Sequence, residues 1–325
     1  MHPALSVIFL TTLIGVGQGL FLALYTVQVY AALDLLPAQS GAFYAEGSAL
    51  AALFLIGGLL ASFFHLGHPE RAWRSAAMWR TSWLSREVIV LPALISAVLA
   101  YALVQWLGWD LKIIGIDTPL PGDLSLGIGA FGVLFAFGLF LCTGMIYACI
   151  KFLQEWASWL TVVNYTLFGL ASGFLFATAF AAYRSPGLVN FFGIWTILFT
   201  TAALVTRAAS LIRNARIKHK SSLQTAIGVR HARVTQRSQG FMGGSFNTRE
   251  FFHGAPVVVF RAIKWVFLVL VFPVPMILLW AGIAQGSALI VLVAFAVQYL
   301  GLMAERWFFF AQANHPQNLY YQVVS

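Results

Sequence analysis

The chain has 325 residues, of which 60% are hydrophobic and only 9% charged. Water-soluble domains carry about 25% charged residues, so a soluble globule is excluded; a disordered chain, which needs low hydrophobicity and high charge, is excluded too. The 19 Lys and Arg against 10 Asp and Glu leave a net charge of +9, which in so apolar a chain reports membrane topology rather than nucleic-acid binding. The two cysteines, Cys142 and Cys149, support neither a disulfide framework nor a four-thiolate iron–sulfur cluster.

The apolar runs predict an all-α integral membrane protein with eight transmembrane helices. In chain order they cover about 5–32, 48–66, 88–107, 124–150, 160–182, 191–212, 257–283 and 288–310. Each can cross roughly 30 Å of hydrocarbon at 1.5 Å per residue. They are long and continuous, unlike the short alternating segments of a barrel. The start, Met1-His2-Pro3, lacks the basic region of a cleavable signal. Residues 1–325 read as one polytopic domain with one sizeable loop at about 213–256.

The first span carries Gln18 within Gly15-Val16-Gly17-Gln18-Gly19. Its glycines allow a neighbouring helix to approach closely, and Gln18 either bonds across helices or joins a ligand cavity. Cys142 and Cys149 are seven residues apart on one face of the fourth helix and read as small packing residues. Pro273 and Pro275 predict a kink in the seventh span, because each removes a backbone donor.

Eight spans put both termini on one side, together with the loops after spans two, four and six. Those loops hold Arg71, Arg74, Arg80 and Arg86, then Lys151, then the basic segment from Arg213 to Arg249. The opposite loops hold Lys112 and Arg184 beside Asp34, Asp110, Asp117 and Asp123. Both termini and the basic loops are therefore expected to be cytoplasmic. The loop at 213–256 reads either as a solvated surface touching anionic lipid or as a docking surface. Phe241, Met242, Phe246, Phe251 and Phe252 favour docking, since aromatics among charges mark interfaces.

No span carries an ionisable side chain near its middle, which disfavours proton pumping. All seven histidines lie at span ends or in loops. No pair is placed to hold a transmembrane haem; one haem at the edge, on His65 and a loop histidine, stays open. The densest polar cluster is His65-Leu66-Gly67-His68-Pro69-Glu70-Arg71-Ala72-Trp73-Arg74, followed by Ser82-Trp83-Leu84-Ser85-Arg86-Glu87. His65 closes the second span and Glu87 opens the third, so both are expected at similar depth. A quinone head group needs such a place: donors for its carbonyls, groups that move protons, and lipid for its tail. Arg71 is expected to anchor Glu87 or to donate to a carbonyl, and Trp73, Trp79 and Trp83 to line the ring's pocket. The bland alternative is an interfacial helix with a Trp belt and snorkelling arginines.

At these residues the chain resembles the DMSO reductase anchor-subunit family, whose members are eight-helix membrane subunits of molybdopterin oxidoreductases. The resemblance rests on His65-Leu66-Gly67-His68-Pro69-Glu70-Arg71-Ala72 and on Ser82-Trp83-Leu84-Ser85-Arg86-Glu87. The opening His2-Pro3-Ala4-Leu5-Ser6-Val7-Ile8-Phe9-Leu10-Thr11-Thr12 and the block Gly243-Gly244-Ser245-Phe246-Asn247-Thr248-Arg249-Glu250-Phe251-Phe252-His253-Gly254 are similar to anchors of cytoplasm-facing sulfite dehydrogenases of sulfur-oxidising bacteria. The resemblance implies a multi-pass protein of the bacterial inner membrane. It implies two cytoplasmic partners, a molybdopterin-bearing catalytic protein and a four-cluster ferredoxin-like iron–sulfur protein. It also implies quinone (ubiquinone or menaquinone) as the molecule that exchanges electrons at this chain. The family's histidine and glutamate carry over to His65 and Glu87 as quinone-binding residues, with Arg71, Ser85 and Gln18 shaping the site. Three alternatives remain: the anchor of a sulfoxide or polysulfide reductase, a passive anchor, and a transporter.

Overall fold

The computed structural model describes residues 4–109, 124–218, 222–231 and 257–313. Helices α1 (Leu5–Ala32), α2 (Gly41–Phe63), α3 (Trp83–Leu107), α4 (Leu124–Ala148), α5 (Trp159–Arg184) and α6 (Val189–Ala215) come first. Helices α7 (Val257–Val271), α8 (Pro273–Ala284) and α9 (Ala288–Ala311) complete the bundle. Helices α7 and α8 make one broken span, so eight spans are long and apolar enough to cross a membrane among the described residues, which contain no strand. The break comes where expected: Phe272 leaves regular helical geometry and Pro273 restarts the helix at its first position, where a missing N–H costs nothing.

Two helices form the centre. The apolar windows of α1 and α5 are 67% and 72% buried, against 33–44% for the other spans. Their contact is backbone to backbone. A Cβ on Gly19 would run into the Gly169 carbonyl, and one on Gly173 would run into the Gly19 backbone. Small residues four apart on each helix permit this approach, which dispersion then rewards. Gly17 turns to the other side, against Ala51 and Leu55 of α2. Polar pairs pin the bundle further. Gln28 Nε2 donates to Ser125 Oγ on α4 at 2.5 Å, and Tyr101 Oη on α3 donates to Gln28 Oε1 at 2.8 Å.

Two helix starts differ from the expected boundaries. Helix α2 begins at Gly41 rather than near 48, and α3 at Trp83 rather than near 88. In both, a serine caps the helix: Ser40 Oγ accepts from Phe43 N, and Ser82 Oγ accepts from Ser85 N. Capping satisfies orphan N–H groups whatever the hydropathy of the first turn. The consequence reaches the candidate site, because Glu87 now lies one turn inside α3. Helix α2 also ends at Phe63, which leaves His65 just beyond it.

Candidate functional site

The connection between α2 and α3 is a 3-10 helix, Pro69–Met78, with no buried residue. Its charges pair locally. His68 Nδ1 lies 3.0 Å from Glu70 Oε1, and Arg71 Nε lies 3.7 Å from the same oxygen. Arg71 is thus engaged with Glu70, not with Glu87. Trp73, Trp79 and Trp83 do not enclose a ring pocket. Trp73 and Trp79 are 71% and 53% exposed, and the three indoles carry the guanidiniums of Arg74, Arg80 and Arg86 at 5.5, 5.4 and 4.2 Å. Trp73 lies on the open 3-10 helix, Trp79 directly after it and Trp83 at the start of α3, and at each a neighbouring cation covers the ring. Arg86 fastens the end of this connection by donating to Trp79 O (2.9 Å) and Arg80 O (2.8 Å).

His65 lies on the surface beyond α2, and its side chain has no hydrogen-bond partner among the described residues. Partial desolvation lowers its pKa from the ordinary value, which favours the neutral ring. Glu87 is different. It is 8% exposed and accepts a hydrogen bond from Thr143 Oγ1 of α4. Ser85 is buried on the same turn of α3, its backbone N–H held by the Ser82 cap. Gln18 takes the interhelical option: its Nε2 donates to Ala136 O of α4 at 2.8 Å. It sits 13 residues into α1, about 20 Å along the axis, whereas Glu87 is 4 residues into α3, about 6 Å. The structure therefore sets Glu87 and Ser85 on one turn and His65 just past the neighbouring helix, with Arg71 turned outward and Gln18 deeper. Beside His65 runs an apolar groove of about 330 Å³, between Ser6, Phe9 and Leu13 of α1 and Gly57, Leu60, Ala61 and Phe64 of α2.

A second polar centre was not anticipated from the sequence. Arg207 of α6 and Glu305 and Arg306 of α9 are at most 4% exposed. Arg207 Nη2 lies 2.8 Å from Glu305 Oε1, and Arg306 Nε lies 2.9 Å from Glu305 Oε2. The Arg306 guanidinium covers the Tyr165 ring at 3.9 Å, and Tyr165 stacks on Tyr147 with centroids 5.6 Å apart. These ionisable groups lie nearly two turns from a helix end, so a search of span middles passes over them. The signal was the placement of Arg207 and Glu305-Arg306 inside otherwise apolar runs.

The expected docking aromatics Phe241, Met242, Phe246, Phe251 and Phe252 fall outside the described residues, as does most of the 213–256 loop. The described part of the loop includes a short helix, Leu223–Ile227, and its root, where Arg213 Nη1 donates to Gln154 O (3.0 Å) and Nη2 to Ala157 O (3.2 Å), joining the end of α6 to the α4–α5 connection. Cys142 is buried and Cys149, just past α4, is exposed; both are free. Among the described residues no group of three His, Cys, Asp or Glu side chains could hold a metal ion.

Comparison with known proteins agrees with this architecture. The family model of the DMSO reductase anchor subunit (DmsC) matches residues 1–312. The chain is also 56% identical to the C subunit of sulfite dehydrogenase from Allochromatium vinosum over 325 residues, covering 100% of both chains. With eight membrane-length helices and a match over nearly its whole length, the chain belongs to the DMSO reductase anchor subunit family and is a multi-pass membrane anchor of an oxidoreductase.

Proposed function

We propose that this chain is the quinone-reactive anchor of a molybdopterin iron–sulfur complex that oxidises sulfite and passes two electrons to membrane quinone. The observation that carries the reading is Glu87, a carboxyl side chain buried at the end of the bundle with Thr143 as its hydrogen-bond partner. An ionisable group buried in a membrane helix marks a functional path by default. His65 lies on the neighbouring connection with an unengaged ring, and the apolar groove ending at Phe64 suits an isoprenoid tail lying in lipid. In this reading Glu87 and His65 hold the head group and exchange its two protons. Ser85 and Arg71 shape the mouth of the site, and Gln18 fixes α1 against α4 behind it. Sulfite as the source of electrons is supported by the full-length similarity to a sulfite dehydrogenase component.

The electrons come from iron–sulfur clusters of a four-cluster ferredoxin-like partner, fed by a molybdopterin-bearing catalytic protein. Both partners dock on the face that carries the termini and the basic loops. The charge asymmetry supports a cytoplasmic position for that face in a bacterial inner membrane. The test is quinone-coupled sulfite oxidation by the purified complex. Glu87→Gln and His65→Ala each abolish it, while the activity of the catalytic partners with an artificial acceptor survives. Unchanged quinone-coupled rates in both variants would leave the chain a passive anchor.

A further inference from the structure

The 3-10 helix between α2 and α3 presents a surface that the candidate quinone site does not use. Such a helix has three residues per turn, so side chains three apart line up in columns. Ala72 and Ser75, both half-buried, head one column of Pro69–Met78. A second carries Trp73 and, in the helical cap residue, Trp79. A third carries Arg71 and Arg74, with Arg80 just beyond the helix. Indoles and guanidiniums therefore run side by side. Glu70 answers the charge of Arg71. Arg74 and Arg80 have no ion-pair or hydrogen-bond partner among the described residues, and each lies over the ring of the tryptophan before it.

The surface joins the ends of two membrane spans, and apolar side chains continue from the spans into it. Phe64 before the 3-10 helix is 86% exposed, Met78 at its end 62%, and Leu84 after it 52%. Such groups gain by leaving water for the edge of the hydrocarbon. Tryptophan concentrates at the same depth, because indole has an apolar body and a polar N–H. A guanidinium over an indole face still offers its N–H groups to a phosphate, which accepts them two at a time. Unanswered positive charge next to a membrane span favours a headgroup of net negative charge. An acidic protein would answer the arginines equally, but not the apolar side chains that run on from the spans. We propose that Arg74 and Arg80, with Trp73 and Trp79, bind the headgroup phosphate of an anionic phospholipid. The bound lipid holds the α2–α3 connection, and with it His65, at the bilayer surface. Lipid binding is read without turnover, so it stands whether or not Glu87 handles quinone.

The test places the full-length protein, with its partners, in nanodiscs of phosphatidylcholine with increasing phosphatidylglycerol and counts retained lipid by native mass spectrometry. Arg74→Gln and Arg80→Gln are each expected to weaken phosphatidylglycerol binding about fivefold, the effect of one basic residue at an anionic surface. The double glutamine variant should hold the two lipids alike. Arg74→Lys with Arg80→Lys keeps the charge and should keep most of the preference, and raised salt should weaken binding to the parent. Hydrogen exchange at the Pro69–Met78 amides of the parent protein gives a second reading that needs no variant. Phosphatidylglycerol should slow it, and phosphatidylcholine alone should not. Equal retention by the parent and the double glutamine variant, or equal exchange in the two lipids, would overturn the site. Loss of the iron–sulfur partner from the double glutamine variant, with lipid retention unchanged, would also overturn it and make this surface a protein-docking face.

Discussion

The α2–α3 and α4–α5 connections are built in opposite ways. The first is an open 3-10 helix in which no residue is buried and whose charges pair with neighbours in sequence. The second is tied into the bundle from three sides. Trp156 Nε1 donates to Phe309 O of α9 at 2.8 Å, Arg213 of α6 reaches Gln154 and Ala157, and Thr161 of α5 donates to Trp156 O at 2.7 Å. Below it, Asn164 bonds Ser210 and accepts from Thr206, both at 2.8 Å. The lesson is a division of labour. The open connection carries the motif His65 to Arg74, the stretch proposed above to meet quinone. The tied one fixes charges whose geometry would be lost if the loop moved. Surface ion pairs are worth little, so the open connection gives up little stability by staying open.

Four perturbations test this contrast. The largest effect is expected at the buried ion cluster, where Glu305→Gln leaves Arg207 and Arg306 without a counter-charge. The loss should be about 3–5 kcal/mol, read as a lowered midpoint of thermal unfolding in detergent. A variant as stable as the parent would mean that the cluster is hydrated and not buried. Next comes the α1–α5 contact. Gly173→Ala places a Cβ against the Gly19 backbone, and overpacking of this kind costs about 1–3 kcal/mol. A neutral result there would show that the two central helices separate easily. Trp156→Phe removes the hydrogen bond to Phe309 and keeps a ring in the stack. About 1 kcal/mol is expected, together with faster proteolysis of the α4–α5 connection; proteolysis confined to the α2–α3 segment in both proteins would break the contrast. The smallest effect is expected for Glu70→Gln on the open connection, under about 1 kcal/mol. A larger loss would show that the 3-10 helix has a fixed partner.

Much of the site region was legible from residue types. The glycines around Gln18 pointed to close helix contact, and Gln18 proved to bond a backbone carbonyl of α4. The start of α3 was placed too late because Arg86 and Glu87 depress the hydropathy of its first turn, whereas the capping serine at 82 answers to backbone geometry. The pocket expected of Trp73, Trp79 and Trp83 depended on where the 3-10 helix and the start of α3 turned those rings, and their spacing does not report that.

The sequence by itself determined the eight spans, the break at Pro273 and the one-sided distribution of basic residues. Apolar length, missing backbone donors and formal charge are properties of local stretches. Only the tertiary structure decided that Glu87 meets Thr143, that Arg71 turns to Glu70, and that Arg207, Glu305 and Arg306 close into one centre beside Tyr165. Those partners lie on different helices or on an irregular turn. Their meeting follows from how closely the helices pack and how each is rotated, which the α1–α5 glycine contact and the interhelical hydrogen bonds fix together.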